Sequence, residues 1–369
     1  MTNKLSSAIH AKSDIQYGLS GLRNLGNTCF MNSCMQIISH THILNDFLNE
    51  KSSVDNKPSY MHKLSSQENI EEFNLLTEWD IVRKMLWKAN CVVTPSGFFQ
   101  SMKRLAVKQR MLSFTGYSQN DVSEFLRFII SSFHCGIQRE VTMNISGTKK
   151  SSNDNMAMLC YEMFKSEYSK SYSEIIPMFY GVQLTLIKEV DNLPEGDQPG
   201  NIVSLRPEPC FIMSLPIPKI NESGSISILD CIEEYCIPEL LTGDNKWYNE
   251  NLKEKQEVYK QHVFWSLPNV LIIDLKRFNK NGTKIQVPLQ LDMNISMTPF
   301  MVGYNKEDAE YELYGVCNHS GSCSGGHYTA HIKCANKRWY LFNDTIVSED
   351  RKFSGRDNVM GYTLFYRKV

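Results

Sequence analysis

Cys29, His327 and Asn343 are the side chains of this sequence that together can perform acyl transfer through a thiol. Cys29 follows Asn24-Leu25-Gly26-Asn27-Thr28 and opens a run in which Phe30, Cys34, Ile37 and Ile38 are spaced to bury one helical face. Gly26 permits a tight turn, and Asn27 or Thr28 can cap the helix that follows. Cys29 then sits in the first helical turn, where free N–H groups and the helix dipole favour the nucleophilic thiolate. A buried cysteine that only fills space is the ordinary alternative. Asn24 can donate its amide to an oxyanion beside the Cys29 N–H; an Asx turn is its competing use.

The base candidate is His327, at the end of Asn318-His319-Ser320-Gly321-Ser322-Cys323-Ser324-Gly325-Gly326-His327. This stretch reads as a Gly/Ser loop between two strands, with His327 opening the second strand and so held rigidly. Gly325 and Gly326 allow another backbone to approach, and His319 reads as a structural histidine. If residues 328–334 and 339–342 pair as a hairpin, Asn343 returns beside His327 and can fix the imidazole tautomer. Asp344 can assist or substitute for it, and a plain turn is the alternative for both.

The elements that must position these groups fall into a helical first half and a β-rich last third. In 120–133, Val122, Phe125, Leu126, Ile129, Ile130 and Phe133 recur at three- and four-residue spacing, a helix buried on one side. Residues 144–155 read as a polar loop. After Pro177 come β-like runs, GVQLTLIKEV and CFIMSLPIP, separated by the turn-rich NLPEGDQPGN. A helix is expected near 228–236, stopped by Pro238, and 245–261 is highly charged and expected to face solvent. Strands are expected at 270–275, 311–317, 328–334, 339–342 and 362–366. Residues 1–16 read as a polar extension.

Composition narrows the classes. The chain is 42% hydrophobic and 21% charged with net charge −1, so no global field points to nucleic acid or an anionic membrane. No stretch approaches the roughly 18–20 apolar residues of a membrane span, and no secretory signal is evident. The eleven cysteines lack a disulfide-like spacing and form no C-x-x-C pair, which points to free thiols in the cytoplasm or nucleus, no metal and no cofactor.

Taken together, GLRNLGNTCFMNS, GYSQNDVSEF, LPNVLIIDLKRF, HSGSCSGGHYTAHI with WYLFND, and YTLFYRKV resemble the successive boxes of the ubiquitin-specific protease family, in family order over nearly the whole chain. The resemblance implies a papain-like α+β fold with a helical thumb (about 17–175), β fingers (about 176–262) and a β palm (about 263–369) in one catalytic domain, 17–369. It implies ubiquitin or ubiquitinated proteins as partner and substrate, and hydrolysis at ubiquitin's C-terminal glycine. It gives Cys29, His327 and Asn343 the triad roles and Asn24 a share of the oxyanion hole. Gln119, Asp121 and Glu124 would bind ubiquitin's basic tail, the two carboxylates through charge-assisted hydrogen bonds, although helix capping competes for them. Gly325, Gly326 and Tyr328 would line a channel too narrow for side chains. Many relatives clamp the finger tips with cysteine-bound zinc; here 188–193 and 247–252 contain no cysteine, so metal-free fingers are expected. A catalytically weak ubiquitin-binding scaffold, or a protease for another ubiquitin-like modifier, is the competing reading.

Overall fold

Apolar side chains at helical spacing build the first half of the chain as α1 (Cys29–Ser39), α2 (His42–Asn49), α3 (Ile70–Lys88), α4 (Ser96–Lys108), α5 (Val122–Ile137), α6 (Ser152–Tyr168) and α7 (Ile175–Phe179). A computed structural model describes residues 17–64, 66–193, 196–219, 225–323 and 325–369; the extension expected at 1–16 lies outside the described residues, as does part of the turn-rich stretch after Asn192. In α5 the six residues picked out by periodicity are all buried, each contributing about 1.5–3 kcal/mol on transfer from water.

Helix α1 differs from the one-sided helix expected, since all of its residues are buried. It runs between the other helices and a large sheet. Phe30 meets Phe125 edge-on at 5.3 Å on one side. On the other, the helix lies so close that a Cβ at Gly315 would stand 2.5 Å from Ile37. Glycine at 315 is what permits that approach.

The large sheet has the strand order Ile346–Glu349, Trp339–Asn343, Gly325–Lys333, Glu310–Ser322, Gly361–Lys368, Val270–Leu275 and Ile212–Leu215, with Asn294–Ser296 added beside Glu310–Ser322. Its neighbours are antiparallel except Ile212–Leu215, which lies parallel to Val270–Leu275. Helix α8 (Ile228–Cys236) buries Ile228, Cys231 and Ile232 on the face opposite α1. A smaller sheet orders Gly196–Cys210, Gly181–Leu193, Val258–Ser266 and Glu239–Leu241. Its base packs on α6 through Ala157, Cys160, Leu184 and Trp265.

Three expectations change. The polar loop at 144–155 ends early: Ser151 and Asp154 form a reciprocal capping box, so α6 starts at Ser152. The charged stretch 245–261 does not face solvent throughout, because from Val258 it is an interior strand, with Val258 itself buried. The Gly/Ser loop before His327 is largely ladder, with Ser320 opposite His327 and Ser322 opposite Gly325.

Candidate active site

The turn ahead of α1 is organised by Asn24. Its Oδ1 accepts from the N–H groups of Gly26 at 3.0 Å and Thr28 at 3.1 Å, while Gly26 and Asn27 adopt φ of +104° and +53°. Thr28 accepts from the N–H of Leu25 at 2.9 Å instead of capping α1, so neither expected side-chain cap forms. The Asx turn and a free amide are compatible, because the turn uses only the oxygen. Asn24 Nδ2 donates to Asp344 at 3.0 Å and keeps its second hydrogen.

Cys29 is the first residue of α1 and is buried. Burial pushes its thiol up from the ordinary 9.0; a backbone hydrogen bond from Tyr328 pulls down, the Asp344 charge pushes up, and backbone bonds at Phe30 and Cys29 pull down. Burial therefore works against the thiolate that the helix terminus favours. Desolvation of the charged sulfur outweighs the terminal N–H groups, and a base is needed to remove the proton.

His327 lies on the strand against which α1 packs. Its Nε2 is 2.7 Å from Oδ1 of Asn343. That oxygen only accepts, so Nε2 carries the hydrogen and Nδ1 keeps its lone pair. The expected hairpin exists, pairing Ala330 with Phe342 and Lys333 with Trp339. Among the described residues no hydrogen bond joins Cys29 to the His327 ring.

Asp344 turns away from His327, contrary to a part in orienting that ring. Its carboxylate accepts from Asn24 and, at 2.7 Å, from Asn32 of α1, and its carbonyl accepts from Leu22 N–H at 2.8 Å. The left-handed turn at Asp344 (φ +50°) aims the group at the front of the chain.

Asp121 serves as the cap of α5: Oδ1 accepts from the N–H groups of Ser123 at 2.8 Å and Glu124 at 3.1 Å, and Oδ2 accepts from Tyr362 Oη at 2.6 Å. Both of its oxygens are thus engaged within the chain, while the exposed Glu124 accepts from Ser113 Oγ at 3.2 Å. Gln119 is bonded to the backbone of Gly326. Gln119, Asp121, Gly325 and Tyr328 line a cavity of about 260 Å³ together with Phe278, His319 and Tyr362. Burial holds His319 down to about 4, so its ring is neutral.

Two residues at this site were not singled out by sequence. Arg277 is fully buried, and its guanidinium donates to the carbonyls of Gly361, Ile285, Val287 and Asn358 at 2.7–3.1 Å, tying the strand of Tyr362 to the 277–287 loop. Asp274 accepts from Ser123 at 2.5 Å and Thr363 at 3.2 Å, bridging α5 and the large sheet. Both occur in LIIDLKRF, where an acid and a base among apolar strand residues are the only signal. Among the described residues no three His, Cys, Asp or Glu side chains gather to hold a metal, and no helix is long and apolar enough to cross a membrane.

A helix-borne cysteine packed on a strand whose histidine is held by an asparagine is a papain-like α+β arrangement. The sequence matches the ubiquitin carboxyl-terminal hydrolase family over residues 20–366, and the chain belongs to that family. Human ubiquitin carboxyl-terminal hydrolase 2 is 30% identical over 364 residues, 95% of this chain and 55% of that protein. The Drosophila melanogaster hydrolase Usp2 is 29% identical over 373 residues, 98% of this chain and 36% of that protein. The chain thus spans about half, or less, of the length of these relatives. A SAGA DUB module of Ubp8, Sgf11, Sus1 and Sgf73 bound to monoubiquitin superposes with a TM-score of 0.67 at 22% identity, covering 98% of this chain and 72% of that one, and shows a shared fold.

Proposed function

We propose that this chain is a thiol-dependent deubiquitinating hydrolase, cleaving the isopeptide or peptide bond at ubiquitin's C-terminal glycine through a thioester acyl-enzyme. The observation that carries the reading is the 2.7 Å bond from His327 to Asn343, on the strand against which α1, headed by Cys29, is packed. Membership of the ubiquitin carboxyl-terminal hydrolase family supports it.

In this reading His327 Nδ1 takes the Cys29 proton, and the sulfur attacks the glycine carbonyl carbon. The resulting oxyanion accepts from the Cys29 N–H and the second Nδ2 hydrogen of Asn24. As the carbon–nitrogen bond breaks, His327 returns the proton to the leaving amine. Water, deprotonated by His327, then hydrolyses the thioester and frees the ubiquitin carboxylate and the thiol. Asn343 keeps the Nε2 hydrogen on the far side of the ring throughout. Glu124 remains available for a basic tail, and Tyr328 with Gly325 and Gly326 lines its path. The division into thumb, fingers and palm near residues 175 and 262 belongs to the same proposal, as does an intracellular setting.

Ubiquitin carrying a C-terminal vinyl sulfone tests this reading. A covalent adduct mapped to Cys29, together with turnover of a fluorogenic ubiquitin amide that Cys29→Ala abolishes, is expected. Tight ubiquitin binding by folded protein without turnover would favour a scaffold.

A further inference from the structure

The strand Gly325–Lys333 is paired unequally on its two sides. Glu310–Ser322 pairs with its residues 325–332, whereas Trp339–Asn343 meets only 330–333. Its first half therefore turns a backbone edge outward. Along an antiparallel strand, alternate residues present both N–H and C=O to the same side. Gly326 and Tyr328 are such alternates, and Gly326 is met from the helical half of the chain.

At Gly326 the visitor is a side chain that imitates a peptide. Gly326 N–H donates to Gln119 Oε1 at 2.6 Å, and Gln119 Nε2 donates to Gly326 C=O at 2.9 Å. One residue on is His327, whose ring is held by Asn343 at 2.7 Å. The Gln119 amide thus stands one residue, about 3.3 Å of strand, before His327. An extended peptide adds to such an edge by the same N–H and C=O pairs.

Gly326 itself has no room to retreat. A Cβ there would lie 2.3 Å from Ser320 O and 2.4 Å from His319 Nε2, so its backbone is wedged against the hairpin behind it. Gln119 is exposed, in the loop just ahead of α5. Of the two partners, the glutamine is the one able to move.

We infer that Gln119 is an intramolecular stand-in for the substrate tail, a latch that closes the last steps of the path to Cys29 and must leave Gly326 before the tail is seated. The inference rests on the proposed function, since only an extended tail travelling to Cys29 needs this edge. It also reverses the part expected of Gln119 from sequence. A residue that grips the tail slows the reaction when removed, and a latch speeds it.

The test compares the second-order rate at which ubiquitin vinyl sulfone labels Cys29 in the intact chain and in two variants. Gln119→Ala removes both bonds and is expected to label faster, on the order of tenfold, given two modest hydrogen bonds released. Gln119→Glu keeps the acceptor but sets a carboxylate oxygen against the Gly326 carbonyl, and is also expected to label faster. Melting curves establish that each variant is folded, and if Gln119→Ala is not, Gln119→Glu decides alone. Unchanged or slower labelling in the folded variants overturns the latch. Unsubstituted protein that forms no adduct at Cys29 overturns the proposed function instead, so the two failures are distinct.

Discussion

The imidazole Nε2 of His327 stands 2.7 Å from Oδ1 of Asn343, so the ring nitrogen that remains basic is Nδ1. Replacing Asn343 by Ala frees the ring to rotate and to exchange tautomers. The expected outcome is a fall in kcat on the order of 100-fold with a much smaller change in KM, read from steady-state kinetics on a ubiquitin amide. A KM effect with kcat intact would mean that Asn343 shapes binding and not the base.

Asp344 is tied to Asn24 and Asn32 and not to His327. Asp344→Ala and Asn24→Ala are each expected to lower kcat by about 100-fold, the usual loss for one oxyanion donor. Because Asp344 acts by holding Asn24, the double variant should lose little more than the worse single one. Losses that multiply in this double-mutant cycle would show that the two residues act separately.

Asp121 and Glu124 should separate by what they affect. Asp121→Ala removes the α5 cap and the partner of Tyr362, and denaturant unfolding should register a loss of about 1–2 kcal/mol. Glu124→Ala, at an exposed position, should leave stability within about 0.5 kcal/mol. If it meets the basic tail, it should raise KM severalfold. An unchanged KM would remove Glu124 from the binding path.

Asp274 gives the protein a pH-dependent stability. Burial, countered by the Ser123 bond and reinforced by the nearby Asp121, pushes its carboxyl from 3.8 up to about 6. The folded chain then holds this proton more tightly than the unfolded chain, so the contribution is present at low pH and fades as pH rises from about 4 to about 6. Asp274→Asn should therefore raise stability above pH 7 by about 2 kcal/mol and change it little near pH 4. A variant less stable at pH 7.5 than the parent would contradict this assignment.

Much of the architecture is legible in local sequence. The buried face of α5, the strand Val270–Leu275 and the hairpin that brings Asn343 back follow from periodicity and turn residues, because each is fixed by neighbours a few positions away. The same holds for the turn at Gly26. Less legible was the start of α6, where a capping box lay hidden in a polar run, and the interior strand from Val258, whose lysine and glutamine neighbours look like surface.

By itself the sequence determined which side chains are present to act, Cys29, His327 and Asn343, and the local elements that carry them. Only the tertiary structure decided how those groups are used. Burial of α1 on every side pushes the Cys29 thiol up, against the helix terminus, since desolvation depends on what packs around the sulfur. A left-handed turn sent Asp344 to Asn24, and the approach of α5 to the sheet engaged Asp121 with Tyr362 and Gln119 with Gly326. These partners lie 200 or more positions apart in the chain, and no local rule of spacing relates them.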